Sequence, residues 1–304
     1  MGEIVVWTIA RRYCRDVSHH TVADFLLPPG YERPARSAVL RERAVVTELS
    51  RYARQAIGDL DPRRRAPYAA RGVARHETPV LLVPGFLAGD FTLAPMARTL
   101  RQAGFRTYRS QINANVGCTL AAAAHVETRL EHVAERRGTR VQLVGHSLGG
   151  MIARGIAARR PDLVSGIVTL GSPMMAPAAH HGSLSVGVDV LVRLSRVGVP
   201  GLMAEDCVAG ECARESFSQA RAELAADQSF TAFYSYNDGF VDPHACIDPV
   251  AVSHEVTASH VGMALDPSVI ARVLEALSDP AAALVGRTAV PTSVPQVRPA
   301  SVAI

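Results

Sequence analysis

Residues 141–150 read VQLVGHSLGG, and the segment MIARGIAAR follows at once. An apolar run, a glycine-bounded turn and an alanine-rich helix in that order leave few folds open. The chain has to leave a buried strand and enter a helix within one tight turn. The apex residue, Ser147, is then forced into a strained backbone conformation. The positions two before and two after it come so close together that a side chain at either would clash, and Gly145 and Gly149 meet that demand. G-x-S-x-G is a short pattern, and its place between strand and helix is what gives it weight.

The rest of the chain reads in the same rhythm from residue 79 onward. Short apolar runs at 79–86 (PVLLVPGF), 105–110 (FRTYRS), 141–144 (VQLV), 164–173 (VSGIVTLGSP), 230–236 (FTAFYSY) and 254–259 (HEVTAS) predict strands. Helices are predicted over 93–103, 119–137, 147–160 and 267–277, with stops at Gly104, Gly138 and Pro161. Strands alternating with helices imply an α/β fold, with a mostly parallel sheet of about six strands and helices on both faces. Residues 174–228 break the rhythm. A structureless loop of that length is unusual, so a helical cap insertion is expected there. The domain is expected over 77–286. Before it lies an N-terminal extension, 1–76, whose segment 37–57 reads as an amphipathic helix. After it, 287–304 is rich in Pro, Val, Ser and Thr and reads as a flexible tail.

Composition excludes several functions. The chain has 304 residues, a net charge of +4 and no lysine, so Schiff-base chemistry on a side-chain amine is ruled out. Arginine is dense before residue 76, as in Arg63-Arg64-Arg65, but acidic residues interleave and no nucleic-acid module is visible. No nucleic-acid partner is expected. No apolar run approaches the ~20 residues of a membrane span. The opening stretch MGEIVVWTIARRYCRD has neither a basic n-region nor a cleavage site, so a cytoplasmic protein without a signal peptide is expected. The five cysteines, Cys14, Cys118, Cys207, Cys212 and Cys246, match no zinc spacing. Free buried thiols are the plain reading, with a Cys207–Cys212 disulfide, near enough in sequence to form, as the alternative. No metal and no cofactor are expected.

A serine on such a turn needs a base and an orienting carboxylate, which in this architecture follow in the order Ser, acid, His. After the fifth predicted strand comes YNDGFVDP, with Asp238 and Asp242. Asp238 falls at the strand tip between Asn237 and Gly239, whereas Asp242 precedes Pro243 and is turned away, which favours Asp238. His260 directly follows the sixth predicted strand. Of the other histidines, His146 is expected to shape the turn. The oxyanion hole needs two N–H groups, and Leu148 and Phe86 are placed to supply them. Phe86, Leu87, Met174, Met175 and Met263 flank these loops and are expected to line an apolar substrate pocket.

Together, GHSLGG, PGFLAG, YNDGFVD and SHVGM resemble the α/β-hydrolase family, and within it the bacterial lipases and esterases, over about residues 79–278. The resemblance implies Ser147 as nucleophile, Asp238 as acid and His260 as base. Some such lipases hold calcium with an aspartate two residues after the catalytic histidine. Gly262 stands there, so no such site is expected. The implied activity is a serine hydrolase that cleaves a small-molecule carboxylic ester through an acyl-enzyme. A thioesterase, acyltransferase or cyclising enzyme on the same triad is the first rival, with a thioester as acyl donor. A non-catalytic interaction protein on the same scaffold is the second.

Overall fold

The computed structural model describes residues 22–58 and 76–285. After a 3-10 stretch, Arg36–Arg43, the first helix is α1 (Ala44–Gly58). The α/β body then runs β1 (Pro79–Val83), α2 (Ala94–Gln102), β2 (Arg106–Arg109), α3 (Thr119–Arg137), β3 (Val141–His146), α4 (Leu148–Arg159) and β4 (Val164–Leu170). The insertion follows as α5 (Gly182–Arg196), α6 (Asp206–Ala209) and α7 (Glu211–Gln219). The chain re-enters the sheet at β5 (Ser229–Tyr234) and ends with β6 (Val252–Glu255) and α8 (Pro267–Ser278).

Every pairing in the six-stranded sheet is parallel, in the order β2-β1-β3-β4-β5-β6. Parallel strands need crossovers, and these place helices on both faces. One face packs Val80, Leu82, Val144 and Phe233 against Met96, Leu100, Ile270 and Val273 of α2 and α8. The other packs Leu81, Leu143, Ile167 and Phe230 against Val126, Leu130, Ile152 and Ile156 of α3 and α4. Burial on both faces explains why β1 and β3 are buried end to end. Truncating one of these side chains, as in Leu143→Ala, is expected to cost about 2–5 kcal/mol.

Several strands are shorter or earlier than their composition predicts, β5 and β6 for reasons that bear on the site. β5 stops at Tyr234, because Ser235 and Asp238 close a turn (Asp238 N–H to Ser235 C=O, 3.2 Å). β6 occupies Val252–Glu255 instead of 254–259. After Val256 donates to Tyr234 the chain leaves the ladder, and the Ser259 N–H is taken at 2.7 Å by the Glu48 carboxylate. Residues 287–304 lie outside the described residues, as do 1–21 and 59–75. Among the described residues no helix is long and apolar enough to cross a membrane.

Candidate active site

Parallel pairing puts the carboxyl ends of all six strands at one edge. Each predicted functional loop leaves from that edge: Phe86 after β1, Ser147 after β3, the insertion after β4, Asp238 after β5 and His260 after β6.

Ser147 has φ 54° and ψ −124°, a conformation costly for a residue with a Cβ. Its N–H donates to Leu170 C=O on β4 at 2.8 Å, which clamps the turn to the sheet. The flanking glycines are required by contact. A Cβ on Gly145 would lie 2.4 Å from Gly150 Cα, and one on Gly149 would lie 2.2 Å from Val83 O.

Asp238 and His260 form a buried pair, with Asp238 Oδ2 2.6 Å from His260 Nδ1. The other oxygen, Asp238 Oδ1, accepts from the Phe240 and Val241 N–H groups at 2.8 and 2.7 Å, so the carboxylate is aimed by its own loop. Burial alone would hold the His260 imidazole neutral. The Asp238 charge and hydrogen bond, with a smaller share from Glu42, outweigh that and raise its pKa above the usual 6.5. Asp242 is engaged elsewhere, accepting from Glu32 N–H through Oδ2 and from the His244 N–H and ring through Oδ1. His146 braces the serine turn against the histidine loop. Its Nε2 lies 2.9 Å from His260 C=O, and burial, then the neighbouring His260 charge, bring its pKa down to about 4. A neutral His146 donates that bond without placing a second positive charge beside His260. No hydrogen bond joins the His260 ring to the Ser147 hydroxyl in this structure, and such contacts commonly tighten only once substrate is bound.

Ser147, Leu148 and Phe86 share the wall of one apolar cavity. The loop bearing Phe86 is held by Asn115, whose side chain donates to Pro84 C=O at 3.0 Å while its C=O accepts from Leu87 N–H at 3.0 Å. Leu87 itself has φ 59°, a second strained residue at the same edge.

The other pocket expectations fail on placement. Met263 is fully buried beneath the sheet among Leu170, Phe233 and Ile270, and Met174 is fully buried with Met151 and Ala220. Met175 lies outside the cavity wall, its N–H donated to Ala245 C=O, and Leu87 is half exposed beside Gly187 of α5 without joining the wall. Flanking a candidate site loop in sequence does not choose the side to which a side chain turns. The wall is built instead from the insertion, notably Leu184, Val188, Met203, Val208 and Phe217, together with Val22 and Leu26 from the N-terminal segment. Cys207 and Cys212 are both free thiols, so of the two arrangements the sequence left open the unpaired one is present.

Sequence reasoning missed a set of residues from the N-terminal segment. Glu42 accepts from Gly239 and His260 N–H through Oε1 (2.8 and 2.9 Å) and from Val261 N–H through Oε2 (3.1 Å). One carboxylate therefore ties the acid loop to the histidine loop. Glu48, 2% exposed, accepts from the Ser259 N–H and hydroxyl at 2.7 and 2.6 Å. Hydrogen bonds to a charged group are worth about 1.5–3 kcal/mol each. Arg51 reaches Asp266, the N-cap of α8, at 2.5 Å and fixes α1 to the body. Gly262 is where the calcium aspartate of some lipases would fall. A Cβ there would lie 2.0 Å from Glu48 Oε2, so glycine makes room for this carboxylate. Gly171 (φ 55°) was also missed; a Cβ on it would press within 3.0 Å of His260 Nδ1. No local pattern marks Glu42 or Glu48, because their partners lie about 200 residues downstream.

A family described as a PGAP1-like alpha/beta domain matches residues 108–188, from β2 through the Ser147 turn into α5. Among solved structures, the mature lipase BlEst2 of Bacillus licheniformis is similar at a TM-score of 0.52 and 14% identity, covering 67% of this chain and 93% of that one. A monoacylglycerol lipase from Paleococcus ferrophilus is similar at 0.44 and 16%, covering 66% and 97%. A soluble variant of the Saccharomyces cerevisiae monoglyceride lipase is similar at 0.48 and 14%, covering 68% and 87%. With the six-stranded parallel sheet and the strand-turn-helix at Ser147, the first of these likenesses defines the architecture: the chain has the α/β-hydrolase fold.

Proposed function

We propose that this chain is a serine hydrolase of carboxylic esters that works through an acyl-enzyme. The observation that carries the reading is the buried Asp238–His260 pair at the sheet edge from which the strained Ser147 projects. His260 Nε2 takes the Ser147 proton while the hydroxyl attacks the ester carbonyl. Asp238 holds Nδ1–H, which fixes the tautomer and stabilises the imidazolium. The Phe86 and Leu148 N–H groups receive the oxyanion, helped by the N-terminus of α4. His260 then protonates the leaving alcohol, and water deacylates Ser147 by the same route. The apolar cavity beside Ser147 takes the acyl chain. Nothing in this chemistry requires a metal or an organic cofactor.

The test is a panel of p-nitrophenyl esters of rising chain length beside matched acyl thioesters. Ester turnover above thioester turnover supports the reading. A strong preference for thioesters moves it to the thioesterase or acyltransferase alternative. Loss of all turnover from a folded chain favours a binding scaffold.

A further inference from the structure

The insertion meets the body at a cluster of cysteines that the ester reaction does not use. Cys118 is the N-cap of α3, Cys207 lies in α6, and Cys212 lies in the first turn of α7. Separate in sequence, they converge in the fold. Cys118 Sγ and Cys212 Sγ are 3.2 Å apart, and all three sulfurs lie within 4.8 Å of one another. All three are free thiols, half-buried and open to solutes. Cys207 also lines the apolar cavity, so the cluster backs onto the pocket wall.

Thiols are weak hydrogen-bond donors and acceptors, and three neutral ones gain little from facing each other. Cys118 caps the N-terminus of the 19-residue α3, where unpaired backbone N–H groups favour a thiolate. Three sulfurs held this close by three separate elements offer a cation one converging set of ligands. A disulfide would use two of the three and leave the third without a role. The 3.2 Å separation also exceeds the ~2.05 Å of a covalent S–S bond.

The geometry points to a thiolate site, formed by Cys118, Cys207 and Cys212, for a thiophilic d10 cation of the Zn²⁺ class, which pins the insertion to α3. Such cations prefer thiolate sulfur, and three protein ligands leave one position of a tetrahedron to an exogenous ligand. Binding converts three Cys–SH groups and M²⁺ into M(S–Cys)₃⁻ and releases three protons, so affinity falls as pH falls. The site lies outside the Ser147 chemistry. Its effect is on how firmly the pocket wall is held, and its test reads binding rather than turnover.

The full chain, reduced and freed of metal, is titrated with Cd²⁺ while thiolate-to-metal charge-transfer absorption is followed in the ultraviolet. One saturable equivalent, displaced by Zn²⁺, is expected, with a rise of several degrees in Tm. Cys118→Ser, Cys207→Ser and Cys212→Ser are each expected to weaken binding by about a hundredfold or more, whereas Cys207→His, which keeps a ligand, loses less. Circular dichroism of the metal-free variants separates lost ligation from lost fold. The inference is overturned if the folded, reduced chain shows no saturable band, or if folded serine variants bind as tightly as the parent. It is equally overturned if the chain carries a Cys118–Cys212 disulfide and takes up no Cd²⁺ after reduction.

Discussion

Two segments outside the sheet reach the edge that carries Ser147, Asp238 and His260, and they do so by different physics. The N-terminal stretch from Arg36 to Gly58 meets the acid and histidine loops through carboxylates: Glu42 on three backbone N–H groups and Glu48 on Ser259. The insertion meets the same edge through apolar side chains, with Leu184, Val188, Met203 and Val208 packed around a cavity that Ser147 also borders. Hydrogen bonds to charged groups are directional and fix angles, whereas apolar packing fixes a volume. The first segment is therefore suited to hold the reacting groups in line. The second is suited to decide what fits beside them. Val22 and Leu26 cross this division, since they join the apolar side from the N-terminal segment.

The comparison breaks first if the carboxylate pairing is misread. Asp238→Asn should keep the shape of the loop yet leave His260 in the wrong tautomer, lowering kcat by about 10⁴-fold on the precedent of serine-protease triads. Asp242→Asn should cost little, because its partners are Glu32 and His244. Steady-state kinetics on a short ester checks both, and a dead Asp242→Asn beside a near-normal Asp238→Asn reverses the assignment.

A smaller effect sharpens the polar side. Glu42→Gln loses the acceptor for one backbone N–H and the charge that helps raise the His260 pKa. The free base does the work, so activity should rise with pH through a midpoint above the usual imidazole value of 6.5. In Glu42→Gln that midpoint should move to lower pH, since removing an anion makes the imidazolium easier to deprotonate. At the pH plateau kcat should fall, by up to about 10²-fold if the loops shift by an ångström, with KM for a short ester little changed. A rise in KM at unchanged kcat and an unmoved midpoint would place Glu42 outside the positioning of the triad.

The smallest effect belongs to the apolar side. Leu184→Phe adds bulk to the cavity wall and should shift preference toward shorter acyl chains by about tenfold in kcat/KM, leaving short-ester kcat intact. An unchanged chain-length profile would mean that the acyl group lies elsewhere.

The two sides also differ in how far they could be read from the chain. Ser147, Asp238 and His260 are legible because each sits in a turn directly after an apolar run, and parallel pairing sends all such turns to one edge. The insertion is legible as an interruption of the strand-helix rhythm. Which of its side chains face inward is not, so Met174 and Met175 were expected in the pocket while Val188 and Met203 line it. Glu42 and Glu48 are invisible for another reason. A carboxylate on an N-terminal helix reads as a solvated charge until the loop it holds, some 200 residues later, is folded beside it. The same blindness hid the cysteines, since Cys118 and Cys212 meet only through the packing of α7 on α3.

Labelling by a fluorophosphonate reads the reactivity of Ser147 itself, with no knowledge of the natural substrate needed. An activated serine forms a covalent phosphonate ester, and peptide mass mapping locates it. One label per chain on Ser147 is expected, absent in Ser147→Ala, slowed by orders of magnitude in Asp238→Asn and undiminished in Leu184→Phe. A folded chain that does not react, or that carries the label on another residue, would contradict the account.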